Sequence, residues 1–157
     1  MMLKIESIAF ALGSEIPTCY TGEGQDVSPP LSWSGVPSKT KCLALIVDDP
    51  DAPDPAAPKM VWVHWVLYNI SPFTKGLPED VKKLPEGTRE GLNDWNRTGY
   101  GGPNPPIGRH RYFYKLYALD AILNLPTTTK KIDLEKAMRG HILAEAALIG
   151  TYQLKKK

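Results

Sequence analysis

The run VWVHWVLYNI, residues 61–70, limits the possible folds of this chain more than any other stretch. Its valines, aromatics and isoleucine favour a pleated strand, and both alternating sets of side chains are largely apolar. A strand with one wet face alternates apolar with polar, so this one is expected to be covered on both faces, in the middle of a sheet. Counted in steps of two, His64 shares a face with Trp62, Val66 and Tyr68. The run CLALIV, residues 42–47, reads as a second strand covered on both sides.

The other elements are weaker. Residues 3–10 are a plausible first strand. SPPLSWSGV, residues 28–36, begins with prolines and suits a short edge segment. Residues 72–92 are broken by Pro78, Pro85, Gly87 and Gly91 and read as loop. Residues 111–120 are aromatic-rich and predict another strand, with His110 continuing the face of Tyr112, Tyr114, Leu116 and Ala118. Near the end, Asp133 can cap LEKAMRGHILAEAALIG, in which Leu134, Ala137, Met138, His141, Ile142, Leu148 and Ile149 recur at helical spacing. Gly140 costs such a helix about 1 kcal/mol relative to alanine, which points to close packing there. Many strands and a single late helix predict a mainly β domain, a sandwich with a peripheral C-terminal helix.

With 157 residues and no internal repeat or linker, the chain is expected to form a single domain, residues 1–157. Fifteen prolines, about twice the usual share, imply many ordered loops. The formal net charge of +2 and the dispersed basic residues argue against nucleic-acid binding. Lys155–Lys157 are read as a solvated tail. No apolar run is long enough to span a bilayer. The first residues, broken by Glu6 and Glu15, resemble a mature strand and not a signal peptide. A cytoplasmic location follows as the expectation, with Cys19 and Cys42 reduced. One bridge between them is the alternative, but Cys42 opens an apolar strand and is better read as a buried thiol.

Three polar clusters carry potential chemistry. DDPDAPD, residues 48–54, follows the CLALIV strand and is stiffened by its prolines. Counted from Asp49, the sixth position of a calcium loop falls on Asp54 where glycine is required, so that reading fails and a solvated acidic turn remains the plain alternative. His64 lies within an apolar strand, where a satisfied core histidine is the plain alternative. His110 stands between Arg109 and Arg111 at the end of GYGGPNPPIGRHRY, residues 99–112. Flanking cations favour an anion over a metal ion, and three histidines without a thiolate pair make no zinc set. If the three strands are neighbours, a carboxylate can orient an imidazole. Two imidazoles, the Tyr112 hydroxyl and loop N–H groups such as that of Asn104 can then face one small cavity, suited to a phosphate or carboxylate.

SPPLSW (28–33), DDPDAP (48–53), HWVLYNI (64–70), GYGGPNPPIGRHRY (99–112) and GHILAEAALIGTY (140–152) resemble, in order and over almost the whole chain, the phosphatidylethanolamine-binding protein family in its bacterial and archaeal Raf-kinase-inhibitor-like branch. The resemblance implies an antiparallel, Greek-key β-sandwich with a ligand pocket at one end. Its ligand-binding positions carry over onto Asp49, Asp51, His64, Gly102, Asn104, Pro105, Pro106, His110 and Tyr112. It implies a small anionic ligand such as phosphate or a phospholipid head group, a possible kinase or protease partner and a homodimer. Neither cofactor nor metal is expected, and the lack of a lipidation signal argues against stable membrane insertion. Asn104 departs from the cysteine common there in microbial members, which removes any thiol-based role. Arg111, on the opposite strand face, is expected to be an ion-pair partner. The rival reading is a hydrolase with an Asp49–His64 general base, although no Gly-x-Ser-x-Gly elbow is present. A third is a surface interaction module.

Overall fold

The computed structural model describes residues 2–155. Two antiparallel sheets face each other. The smaller has the order β1–β2–β5, with β1 at Lys4–Glu6, β2 at Leu31–Ser34 and β5 at Gly76–Leu77. The larger has the order β6–β4–β3–β7–β8, with β3 at Cys42–Ala52, β4 at Met60–Ile70, β6 at Arg89–Glu90, β7 at His110–Leu119 and β8 at Ile142–Tyr152. Among the described residues the one α-helix, α1, spans Lys131–Met138, and a short 3-10 turn lies at Thr18–Tyr20. The main core, including Ile5, Trp33, Leu45, Trp65, Leu67, Tyr114 and Leu148, fills the space between the sheets. A second cluster, with Ala44, Ile46, Val66, Tyr68, Leu134 and Met138, joins the outer face of the larger sheet to α1. This is why the β3 and β4 sequences are apolar in both parities. The expected sandwich with a peripheral helix is the fold observed.

Several local expectations are corrected. β1 is only three residues long. β2 is not an edge but the middle strand of the smaller sheet. Residues 72–92 contain the two-residue strands β5 and β6. The helix ends at Met138, and residues 142–150, expected to continue it, lie in β8, Ile142–Tyr152. Alanine, leucine and glutamate there favour helix, but ten paired positions along β7 override that local preference. Gly140 is not packed inside a helix. It adopts φ +80° between helix and strand, with nothing within 4 Å of a hypothetical Cβ. Asp133 lies inside the first turn and accepts the Lys130 N–H at 3.0 Å, so it caps from within. His141 lies in the turn before β8, bonded to Asp120.

The acidic stretch is not a solvated turn, because β3 runs through it to Ala52 and buries Asp48, Asp49 and Asp51. Asp48 faces the outer layer and binds Lys115 at 2.9 Å and Lys131 at 2.7 Å, tying the sheet to α1. Cys19 and Cys42 are both free. Burial pushes the Cys42 thiol up to about 11, so it is a buried, protonated thiol. Lys155 is not free in solvent, since it pairs with Glu15. Lys156 and Lys157, the rest of that expected tail, lie outside the described residues. Among the described residues no helix is long and apolar enough to cross a membrane.

Candidate functional site

The site lies where β3, β4 and β7 end beside the loops at residues 93–108. A cavity of about 270 Å³ is lined by Asp49 and Pro53 from the β3 end, Met60, Trp62 and His64 from β4, and His110 and Tyr112 from β7. Trp95, Asn104, Pro105 and Pro106 close it from the loops. Seven of the nine expected ligand positions therefore meet at one cavity, whereas Asp51 and Gly102 do not line it: Asp51 binds Arg111, and the Gly102 N–H donates to Asp26.

His64 reaches the cavity through a β-bulge. Val47 pairs with Trp65 but Asp48 pairs with Val63, so His64 is the extra residue on β4. The expected alternation consequently fails: Val66 and Tyr68 point to the helix side, whereas His64 packs edge-on to Tyr112 at 5.2 Å and to Trp95 at 5.3 Å. Its Nδ1 lies 2.6 Å from the Gly101 carbonyl, which can only accept, so Nδ1 carries the proton and Nε2 is bare in the neutral ring. Burial pulls the His64 pKa down to about 4, and the Gly101 hydrogen bond opposes this only in part. The ring is uncharged at neutral pH.

His110 is held on three sides. Its Nε2 faces the carbonyls of Ile107 at 2.8 Å and Pro53 at 3.1 Å and must donate to them. Its Nδ1 lies 2.6 Å from Asp49 Oδ2, with a single proton between them. Burial pushes the Asp49 carboxyl above its ordinary range, opposed by this bond and by the Asp51 N–H, which donates to Asp49 Oδ1 at 2.7 Å. The carboxylate thus orients His110 and not His64, so the expected Asp49–His64 pair is not formed.

Neither arginine beside His110 supplies charge to the cavity. Arg109 is exposed and pairs with Glu15 at 3.5 Å. Arg111 is an ion-pair partner as expected: Asp51 accepts from its backbone N–H, Nε and Nη2 at 2.9, 2.9 and 2.8 Å. The Arg111 guanidinium holds the Asp51 carboxyl below its usual range.

The Gly/Pro loop is fastened along its length. Gly101 donates its N–H to the His64 carbonyl at 3.1 Å, Gly102 to Asp26 at 2.7 Å, and Gly22 to the Pro103 carbonyl at 2.8 Å. A Cβ on Gly102 would lie 2.3 Å from the Tyr20 carbonyl oxygen, and one on Gly101 would lie 2.3 Å from the Trp95 ring. Only glycine permits these approaches. The Tyr112 hydroxyl is buried and finds no hydrogen-bond partner among the described residues. Burial, then nearby Asp49, raises its pKa far above the phenol range.

Sequence reasoning missed Met60, Trp95, Ala52 and Pro53 as lining residues and noted Trp62 only as a neighbour of His64. Trp62 was accessible from the two-residue strand period. Trp95 is placed by Asn93, whose side chain accepts the N–H groups of Trp95 and Arg97 and donates to the Gly99 carbonyl. The available signal was a tryptophan between Asp94 and Asn96, away from any apolar strand.

Residues 6–153 match the family model described as phosphatidylethanolamine-binding protein. A UPF0098 protein of Methanothermobacter thermautotrophicus is 49% identical over 154 residues, covering 96% of this chain and 99% of that one. The crystal structure of a phosphatidylethanolamine-binding protein homologue from Chlamydia trachomatis superposes with a TM-score of 0.91 at 41% identity, covering 98% of this chain and 99% of that one. Escherichia coli YBCL gives 0.88 at 32% identity over 99% and 100% of the two chains. A carboxypeptidase Y inhibitor, at 19% identity and a TM-score of 0.61, covers 98% of this chain and 83% of its own and shares the fold. The chain belongs to the phosphatidylethanolamine-binding protein family.

Proposed function

We propose that this protein binds a small anionic ligand, phosphate- or carboxylate-bearing, at the cavity and does so without catalysis. The observation that carries this reading is the Tyr112 hydroxyl. Of the buried side-chain groups without a partner among the described residues, it alone belongs to a residue lining this cavity. A buried unpaired hydroxyl costs about 1–3 kcal/mol, and an acceptor oxygen brought to the cavity floor would recover that. His64 is neutral, and Asp49 with His110 forms one hydrogen-bonded unit, so recognition rests on directed donors more than on net charge. The Asn104 side chain, at the rim, adds a second donor group.

The lining contains no serine, threonine, cysteine or lysine to act as a nucleophile. A general base formed by Asp49 and His64 has no geometric support, since Asp49 is bonded to His110. The hydrolase reading is therefore set aside.

The test is an NMR titration of the histidine ring resonances with phosphate, phosphoethanolamine and acetate, on the wild type and Tyr112→Phe. Saturable shifts at His64 and His110 are expected, with affinity reduced about 5- to 10-fold in Tyr112→Phe, the equivalent of one lost hydrogen bond. Absence of shifts at millimolar ligand in the folded protein would refute the reading.

A further inference from the structure

The cavity offers hydrogen-bond donors but no net positive charge. Asp49 and His110 share one proton across their 2.6 Å contact while Nε2 donates to two carbonyls, so the pair is neutral as a unit. His64 is an uncharged ring bonded to Gly101. Outside the lining, Arg111 is matched by Asp51, and the exposed Arg109 by Glu15. Arg97 lies over the Trp95 ring at 5.6 Å, but it is exposed and does not line the cavity. Taking a charge out of water costs free energy that rises with the square of that charge, and here no cation offsets it. A doubly charged phosphate monoester is therefore penalised far more than a singly charged carboxylate. Donor number agrees. The Tyr112 hydroxyl and the Asn104 amide can serve the two oxygens of a carboxylate, whereas a phosphate monoester presents three.

The rest of the wall is apolar, built from Pro53, Met60, Trp62, Trp95, Pro105 and Pro106. The two indoles stand at 82° with centroids 5.6 Å apart. They form a corner where a flat ring can pack face-on to one and edge-on to the other. Met60 adds a flexible thioether, a favourable neighbour for an aromatic ring. Met60 is 46% exposed and Trp95 41%, so an apolar body held there would cover exposed apolar surface. A dry cavity of about 150 Å³ takes a benzene ring, and one of about 270 Å³ has room for a ring and a carboxylate. We infer that this site selects a small aromatic monocarboxylate, of the benzoate or phenylacetate type, over a phosphate monoester. The inference rests on the anion-binding reading of the cavity and narrows it to one ligand class. Charge and donor number set the head group, and the tryptophan corner sets the body.

The test is isothermal titration calorimetry at pH 7.5 and 5.5 with phenylacetate, acetate, phenyl phosphate and neutral benzyl alcohol, on the wild type and Trp95→Ala. Trp95 is half-exposed and outside both core clusters, so the variant is expected to fold. At pH 7.5 phenylacetate is expected to bind at least about 10-fold tighter than acetate, through burial of its ring. It is expected to bind at least about 10-fold tighter than phenyl phosphate, which is then a dianion. At pH 5.5 phenyl phosphate is mostly a monoanion, its second pKa being about 6, and is expected to tighten several-fold while phenylacetate changes little. Trp95→Ala is expected to cut the phenylacetate-to-acetate affinity ratio about 5-fold. Phenyl phosphate binding as tightly as phenylacetate at pH 7.5 overturns the inference. So does acetate matching phenylacetate, or a ratio unmoved in Trp95→Ala, and each of these leaves the anion-binding reading standing. If none of the three anions binds, or if benzyl alcohol binds as well as phenylacetate, that reading fails and the inference with it.

Discussion

His64 makes the stability of this protein sensitive to mild acid, by an amount that follows from its burial. Its folded-state pKa is about 4 against an ordinary value of 6.5. Between these values the unfolded chain binds a proton that the folded protein refuses, so stability is fully present above pH 6.5 and is lost as pH falls toward 4. For one site the loss is RT ln[(1 + 10^(6.5 − pH))/(1 + 10^(4 − pH))], which gives about 2 kcal/mol at pH 5 and about 3 kcal/mol at pH 4. Asp49 acts in the opposite sense: its raised pKa favours the folded state as pH falls. The two effects separate in a comparison of wild type with His64→Asn, whose side-chain amide retains a donor near the Gly101 carbonyl but does not titrate. Urea unfolding at pH 7, 5 and 4 is the assay, with histidine ring shifts reporting His64 directly. The wild type is expected to lose about 2 kcal/mol more than the variant between pH 7 and pH 5. Parallel losses in the two proteins, or a His64 that titrates in the folded state near pH 6.5, would refute the argument.

Two glycine substitutions test the loop. Gly102→Ala meets the Tyr20 carbonyl and the Thr21 backbone, which cannot yield, and is expected to cost about 2–3 kcal/mol in urea unfolding. Gly101→Ala meets the ring of Trp95, which is 41% exposed and can swing outward. It is expected to cost only about 1 kcal/mol but to alter Trp95 fluorescence and ligand affinity. Gly140→Ala distinguishes two structures by sign. Within a helix alanine would stabilise by about 1 kcal/mol, whereas at φ +80° it is expected to destabilise by about 1 kcal/mol in the same assay.

What could be read from the sequence divides along a physical line. The doubly apolar β3 and β4 strands announced their own burial, because a strand between two cores leaves that mark whatever its neighbours are. The face of β7 from His110 to Ala118 was legible for the same reason, as alternation there is unbroken. The face of His64 was not, because one extra residue opposite Asp48 reverses the parity, and a bulge depends on the partner strand. β8 was misread because its alanines, leucines and glutamate have helical preferences, while the bonds that make it a strand are with residues some thirty positions earlier. The site's composition was legible as clusters and as a family resemblance. Its pairings were not, since nothing in the spacing of residues 49, 64 and 110 says which imidazole the carboxylate will reach.

Those pairings decide what each polar residue can contribute. The three carboxylates of the acidic motif have separate work: Asp48 holds α1 on the outer face, Asp51 clamps Arg111, and Asp49 orients His110. Asp51 and Asp49 are also linked, because the Asp51 N–H donates to Asp49 Oδ1. A chain of contacts thus runs from the half-exposed Arg111 through Asp51 and Asp49 to His110. At its end His110 has little left to offer a ligand by hydrogen bonding: Nδ1 is engaged with Asp49, and Nε2 is shared between two carbonyls. Its ring instead stacks on Tyr112, with planes 17° apart and centroids separated by 6.4 Å. His64 spends its only proton on Gly101 and keeps the loop closed. The two histidines that draw the eye in the sequence are therefore committed to shape. Among the described residues that line the cavity, the buried side-chain group left without a partner is the Tyr112 hydroxyl, and the proposed recognition of an acceptor rests on it, with the Asn104 amide at the rim.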